Sequence, residues 1–431
     1  MKNPEEFPSV CHRFTLPNGL RIIHEPVSSR VAYCGFAVDA GTRDEDECEH
    51  GMAHFVEHLL FKGTRRRKAW HILNRMENVG GDLNAYTNKE ETVVYCAFPV
   101  EHFARAFELL ADIVFHSTFP QSEVEKETEV IIDEIQSYED SPSELIFDDF
   151  ENLIFRGHPL GHNILGTPER LKTFRGEDAA SFTARHYRPE RMVFFVRGEV
   201  DFRRVLRLAE RFLADIPPAG GLSAAGDGAL LRHDVSAGQG HRLPPPPYEP
   251  AMRVFHRDTH QAHVMIGARA YDAYDPRRTS LYLLTNLLGG PGMNSRLNVA
   301  LRERRGLVYS VEANLLAYTD TGAFCIYFGC DPADTDTCIR LVYKELQRLR
   351  DRRLTPSQLA AAKKQLIGQL IVASDNAENN ALSMAKTYLH YDRYETMADL
   401  FRRIEALTSD QLLDVAGDVL ATSHLSTLLY D

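Results

Sequence analysis

Residues 51–63 read GMAHFVEHLLFKG, a run in which three ionisable residues are set among apolar ones. At about 100° per residue, Glu57 lies near −60° and His58 near +40° from His54, so the three share roughly 100° of one helix face. Met52, Phe55, Val56, Leu59 and Leu60 occupy the other faces, which predicts a helix that is apolar nearly all round and buried. Two imidazoles and a carboxylate on a buried face need a partner, because an unpaired buried charge is costly. Neutral imidazoles at i and i+4 can reach one zinc ion, as in the HExxH and inverted HxxEH arrangements. The alternative for these residues is a histidine pair satisfied by backbone or carboxylate groups.

A second helix strengthens the metal reading. Along SEVEKETEVIIDEIQSY (122–138), Val124, Ile131, Ile135 and Tyr138 form an apolar stripe, and Glu127 and Glu134 sit on its edge at about −60° and −80°. The two acids project the same way, two turns apart. Either one alone would read as part of a solvated helix face. Beside an incomplete two-histidine site, one of them becomes the natural third ligand. Three protein ligands, with the fourth position left for water, is the pattern of a catalytic rather than a structural zinc.

The whole chain has 431 residues, 44% of them apolar and 26% charged, which fits a globular protein of two to four domains. A net charge of −12 argues against a dedicated nucleic-acid binder, while leaving room for a locally basic cleft. No run approaches the roughly 20 apolar residues needed to cross a bilayer, and MKNPEEFPSV lacks the features of a secretory signal. Cys11, Cys34, Cys48, Cys96, Cys325, Cys330 and Cys338 show no CxxC or other ligand spacing; they read as reduced thiols and point to a cytoplasmic location.

Residues 217–250, rich in Gly, Ala, Ser and Pro, read as a linker between domains at 1–216 and 251–431. The halves look like distant copies. FPQSEVEKETEVIIDEIQ (119–136) aligns with LTPSQLAAAKKQLIGQLI (354–371) at an offset of 235, and HFVEHLLFKG (54–63) with YLLTNLLGGP (282–291) at an offset of 228. Under this alignment His54, Glu57 and His58 become Tyr282, Thr285 and Asn286, and Glu127 and Glu134 become Ala362 and Gln369. The ionisable set is present in one copy only. Strand patterns at 12–40, 82–98, 191–198, 252–270 and 307–330 alternate with helical periods at 48–62, 67–79, 100–114, 121–139, 202–215, 279–288, 294–304, 333–350, 356–373 and 395–419. The expected fold is α+β: two structurally related domains, each a largely antiparallel sheet covered by helices on one side.

Taken together, these motifs resemble the pitrilysin, insulin-degrading enzyme and mitochondrial processing peptidase family of zinc metallopeptidases. Its HxxEH is followed about 75 residues later by a ligand Glu, with another Glu seven residues before that, and His54, Glu57, His58, Glu127 and Glu134 match. The length is similar to that of the short, processing-peptidase-like branch. The resemblance implies that His54, His58 and Glu134 hold one zinc ion per subunit, with a zinc-bound water as nucleophile. Glu57 would then be the general base, and Glu127 would orient His58 or its surroundings. In GGDLNAYTNKEE (80–91), Asn84 and Ala85 would meet the substrate backbone on an edge strand; in RERRGLVYSV (302–311), Arg302 and Tyr309 would position the substrate. The implied function is a zinc endopeptidase acting on oligopeptides or unfolded segments. The implied assembly is a two-fold homodimer in which Arg302 and Tyr309 act across the interface. The alternative is a non-catalytic or obligate heteromeric subunit of a processing-peptidase-like complex.

Other features have plainer readings. KGTRRRK (62–68) reads as a solvated loop and helix start, or as a patch that steers acidic peptides. His158 and His162 lie in a Gly/Pro-rich loop, GGPGMNSR (289–296) reads as a turn before a helix, and RLRDRRL (348–354) as the end of a surface helix.

Overall fold

A computed structural model describes residues 11–217, 242–257 and 259–431. The first half of the chain runs β1 (His12–Thr15), β2 (Arg21–Glu25), β3 (Val31–Val38), α1 (Met52–Leu60), α2 (Ala69–Glu77), β4 (Asp82–Thr87), β5 (Thr92–Pro99), α3 (Phe103–His116), α4 (Gln121–Glu139), α5 (Pro142–Ile154), α6 (Pro168–Leu171), α7 (Gly176–His186), β6 (Met192–Arg197) and α8 (Phe202–Phe212). The second half runs β7 (Met252–Phe255), β8 (Ala262–Ala270), α9 (Arg278–Gly289), a π-helical turn (Asn298–Glu303), β9 (Val308–Ala317), β10 (Gly322–Cys330), α10 (Thr335–Asp351), α11 (Pro356–Ala373), α12 (Ala377–Tyr391), α13 (Met397–Ala406), α14 (Ser409–Val419) and β11 (Ser426–Tyr430).

The two sheets have the same plan. One is ordered β1-β2-β6-β3-β5-β4 and the other β7-β11-β8-β10-β9, so that, β1 apart, each strand of the first has a counterpart in the second. In both sheets one pair is parallel, β2–β6 in the first and its counterpart β7–β11 in the second, and the remaining pairs are antiparallel. The expected duplication and the α+β class are thus observed.

Each sheet is apolar on both faces, and this dictates how the chain is divided. In the first, Cys34, Phe36 and Val38 of β3 and Met192, Phe194 and Val196 of β6 face a core shared with α1, α3 and α4. There the Phe107 ring stacks on Phe194 at 3.9 Å. Ile23, Ala37, Val93, Val193 and Phe195 project from the other face, where Ala381, Met384, Ala385, Tyr388 and Leu389 of α12 cover them. β6 therefore reads as an unbroken apolar run, as strands covered on both faces do. The second sheet repeats the arrangement. Val264, Ile266 and Ala268 pack with α9, α10, α11 and α14, while Met265, Cys325, Tyr327, Leu428 and Tyr430 meet Ile146, Phe150 and Ile154 of α5.

The chain is accordingly not cut into 1–216 and 251–431. The first unit holds Met1–Ile135, Asn163–Arg242 and Asn376–Thr396, and the second holds Gln136–His162, Leu243–Asp375 and Met397–Asp431. Each unit's own helices cover one sheet face, as expected, and the other face takes one helix from the opposite half of the sequence. Burying side chains the size of Met384, Tyr388 and Leu389 stabilises by roughly 1.5–3 kcal/mol each, enough to fix where α12 belongs.

Of the expected linker at 217–250, residues 218–241 lie outside the described residues. The remainder is anchored: Arg242 is buried in the first unit, and in the second the Tyr248 hydroxyl lies 2.7 Å from Ser426 Oγ. The single helical period expected at 395–419 is two helices, broken where Thr408 caps α14 by accepting from Gln411 N. Helices α5, α6, α7 and α12 and strand β11 fall outside the regions where regular structure is expected. All seven cysteines are free. Among the described residues no helix is long and apolar enough to cross a membrane.

Candidate metal centre

The position of α1 is fixed at its N-terminus. Gly51 has φ +95°, and a Cβ there would lie 2.9 Å from both Leu165 O and Gly166 Cα, so the turn into the helix requires glycine. The Glu45 carboxylate accepts hydrogen bonds from Gly51 N (3.0 Å) and Ala53 N (2.8 Å), satisfying N–H groups that a helix start leaves open. The preceding segment is tied down by Arg242, whose Nη2 is 2.9 Å from Asp39 and 2.7 Å from Asp44. Burial alone would raise the Asp44 carboxyl, but Arg242 and Arg191 hold it below the usual carboxylate range. Met52, Phe55, Val56, Leu59 and Leu60 are all buried, as the all-round apolar pattern predicts.

On the remaining face of α1, His54 and His58 meet Glu134 of α4. Glu134 Oε2 is 3.9 Å from His54 Nε2 and 3.7 Å from His58 Nε2, and one ligand atom from each residue lies within 4.8 Å of the others. The imidazole centroids are 4.7 Å apart. Burial, and then the neighbouring His58, push His54 down to about 3, so it is a neutral ring near pH 7. His54 Nδ1 is buried without a hydrogen-bond partner among the described residues. His58 Nδ1 is 3.2 Å from Glu127 Oε2, which favours the tautomer that donates from Nδ1 and leaves the Nε2 lone pair facing Glu134. The other Glu127 oxygen, Oε1, is 2.7 Å from Lys62 Nζ.

Glu57 lies beside this group with Oε2 buried and, among the described residues, unpartnered. Burial raises its carboxyl pKa, Glu134 raises it further, and a hydrogen bond from Thr87 with the proximity of His58 works the other way. Two neutral imidazole nitrogens and a carboxylate, converging from two helices, form a donor set that suits zinc.

β4 pairs with β5 alone, from Asp82 opposite Ala97 to Thr87 opposite Thr92, so its other edge is free among the described residues. Leu83 and Ala85 pack on the core that contains α1, and Thr87, in step with them, reaches Glu57. Asn84 points the opposite way and donates to Asp82 Oδ2 at 2.8 Å. Asn84 and Ala85 are thus on an edge strand, as the resemblance implies. Arg302 and Tyr309 belong to the second unit, the former in the π-helical turn and the latter on β9, an edge strand equivalent to β4. The Arg302 guanidinium lies 5.6 Å from the centre of the Tyr309 ring, which is 81% exposed.

Several contributors were not among the expected site residues. Thr87 could have been found from its two-residue spacing after Ala85, and Lys62 from its four-residue spacing after His58. Glu45 leaves no local signal. The run KGTRRRK is not a uniformly solvated loop: Lys62 pairs with Glu127, and Arg67 pairs with Asp112 and Glu108. His158 is structural, its Nδ1 accepting from Leu160 N and its Nε2 lying 2.9 Å from Leu243 O.

Known proteins resemble this chain along almost its whole length. A sequence profile described as "Insulinase (Peptidase family M16)" matches residues 21–168, and one described as "Peptidase M16 inactive domain" matches residues 173–366. An uncharacterized zinc protease of Mycobacterium leprae is 32% identical over 97% of this chain and 91% of its own length. An uncharacterized zinc protease of Bacillus subtilis is 29% identical over 97% of both chains. The crystal structure of a protease from Helicobacter pylori superposes with a TM-score of 0.87 at 21% identity, over 98% of this chain and 99% of that one, and so shares the fold. With relatives this similar along almost its entire length, the chain belongs to the insulinase family, peptidase family M16.

Proposed function

We propose that this protein is a zinc-dependent endopeptidase that hydrolyses oligopeptides or unfolded segments, with His54, His58 and Glu134 as ligands of one zinc ion per subunit. One observation carries the reading: two imidazole nitrogens and a carboxylate oxygen fall within 4.8 Å of one another, next to a glutamate whose buried oxygen has no partner. The relatives named as zinc proteases support it. Zinc held there would supply Lewis acidity, polarising a carbonyl and bringing the pKa of water down toward about 7.

The chain's own residues do the rest. Glu57 accepts the proton of the attacking water at Oε2 and delivers it to the leaving amine. The burial that raises its carboxyl pKa favours the protonated form it must hold between those two transfers. Glu127 holds the His58 ring. The free edge of β4 at Asn84 and Ala85 accepts an extended peptide through main-chain hydrogen bonds, which tolerate many side chains. Arg302 and Tyr309 position the substrate from a second copy of the chain in a two-fold homodimer. The presence of both residue sets in one sequence supports that assembly. A non-catalytic subunit would not need the complete set of ligand and base residues found here.

Metal analysis combined with hydrolysis of a quenched fluorescent peptide tests the reading. Activity should vanish on chelation and return on adding one equivalent of zinc. Undiminished hydrolysis by metal-free protein, or none by zinc-loaded protein, would overturn it.

A further inference from the structure

We propose that Lys62 is a positioning residue of the metal centre: its ammonium group holds Glu127 in the orientation that fixes the His58 ring, so zinc affinity depends on a side chain that touches no ligand. The inference rests on the zinc reading above. Lys62 follows His58 by four residues, just past the end of α1, and both side chains reach the same carboxylate of α4. Glu127 Oε2 faces His58 Nδ1 at 3.2 Å, and Oε1 faces Lys62 Nζ at 2.7 Å. The Glu127 side chain is only 6% exposed, so water does little to replace either partner. A carboxylate held at both oxygens cannot rotate about its terminal bond without losing one of two charge-assisted contacts. The His58 ring then keeps its donor partner, and Nε2 stays directed toward Glu134.

Lys62 is itself pre-positioned. Its backbone N–H donates to Leu59 O at 3.1 Å. The next residues are locked by Thr118 N donating to Gly63 O at 3.1 Å, Thr64 N to Arg67 O at 2.8 Å and Arg65 N to His116 O at 3.0 Å. Thr64 Oγ1 donates to Asp112 at 2.8 Å, and Arg67 pairs with the same carboxylate. Arg65, Arg66 and Lys68 of the same basic run are exposed, whereas Lys62 is turned inward. The second half of the chain gives an internal control. At the aligned positions His58, Lys62 and Glu127 are replaced by Asn286, Gly290 and Ala362, so ring, ammonium and carboxylate are absent together.

The test is competition for zinc against a chromophoric chelator, using the full-length chain with Lys62→Met, Lys62→Arg, Glu127→Gln and the Lys62→Met/Glu127→Gln double variant. Lys62→Met should weaken zinc binding about 10-fold or more, the range for a lost partner of a ligand. Lys62→Arg should remain within roughly threefold of the parent, because the charge and donor are restored. In the Glu127→Gln background, Lys62→Met should add less than about twofold, the non-additivity of two residues acting through one contact. Lys62→Gln replaces Lys62→Met if the latter lowers the melting temperature of the zinc-free chain. Zinc affinity unchanged within twofold on loss of the ammonium, or a full loss persisting in the Glu127→Gln background, would overturn the proposal. A parent chain that takes up no zinc in the same assay would instead overturn the zinc reading, and the proposal with it.

Discussion

The two units solve the same packing problem with the same helix positions, and differ where packing makes no demand. Ala53, Val56 and Leu60 of α1 correspond to Leu281, Leu284 and Leu288 of α9, and all six are buried. Ile131 of α4 corresponds to Leu366 of α11, also buried in both. Between these apolar positions the first unit carries His54, Glu57, His58, Glu127 and Glu134, and the second carries Tyr282, Thr285, Asn286, Ala362 and Gln369. The fold therefore does not require the ionisable set. A buried, unpartnered Glu57 oxygen and a histidine held far below its ordinary pKa are costs that packing alone would remove. Their presence in one unit only is what a chemical role would leave behind.

The largest expected effects come from giving the first unit residues of the second. His58→Asn, which installs the residue found at Asn286, should lose both zinc and hydrolysis. Zinc affinity should fall by roughly 100-fold or more, because an amide replaces a ligand nitrogen. Glu57→Gln separates binding from chemistry: kcat should drop on the order of 10²–10⁴-fold while zinc content stays at one per chain. Elemental analysis beside peptide hydrolysis reads both, and a Glu57→Gln protein that still cleaves when loaded with zinc would remove Glu57 from the mechanism.

A smaller effect tests whether two copies of the chain complete each other's sites. Glu57→Gln and Tyr309→Phe chains, each weak alone, should regain activity when co-assembled, since one site of each mixed dimer has an intact Glu57 and an intact Tyr309. Random pairing sets the recovery at roughly a quarter of the parent activity. No recovery despite demonstrated subunit exchange would place Arg302 and Tyr309 outside the partner's site.

The legible and illegible parts of the molecule divide along the same comparison. The α1 and α4 faces and the duplication could be read because each rests on spacing within one element or on likeness between two, whereas the edge strand at Asn84 and Ala85 was implied by the family resemblance alone. The crossing of α5 and α12 could not. Ala381, Met384, Ala385, Tyr388 and Leu389 do follow a helical period, but a period says only that one face is apolar, not which sheet it covers. Lys62 looked solvated within a basic run because its partner, Glu127, is distant in sequence. Arg242 closes a region with the composition of a linker, yet Asp39 and Asp44 bury it, and no local pattern announces an ion pair formed across the chain.

The smallest effect concerns acid, and again the units should part. In the first unit burial lowers His24 to about 4, partly opposed by a bond to Gly198 O; it lowers His186 to about 4, with Arg191 adding; and it lowers His54 to about 3. In the second unit burial lowers His263. An unfolded histidine, with a pKa near 6.5, takes up a proton that these folded rings refuse, so the unfolded state binds more protons between about 4 and 6.5. The stability they contribute is fully present above pH 6.5 and is lost as pH falls toward 4. For His24 and His186 the loss at pH 5 is roughly 1–2 kcal/mol each. Glu91 adds to the trend at lower pH: burial alone would raise its carboxyl pKa, but His390 and Lys386 hold it well below the usual range. Hydrogen exchange on zinc-free protein at pH 7 and pH 5 should show β3 and β6 losing protection before β8 and β10. Equal loss in both sheets would mean that the cost of keeping neutral rings buried is spread over the whole chain, rather than concentrated in the unit that carries the chemistry.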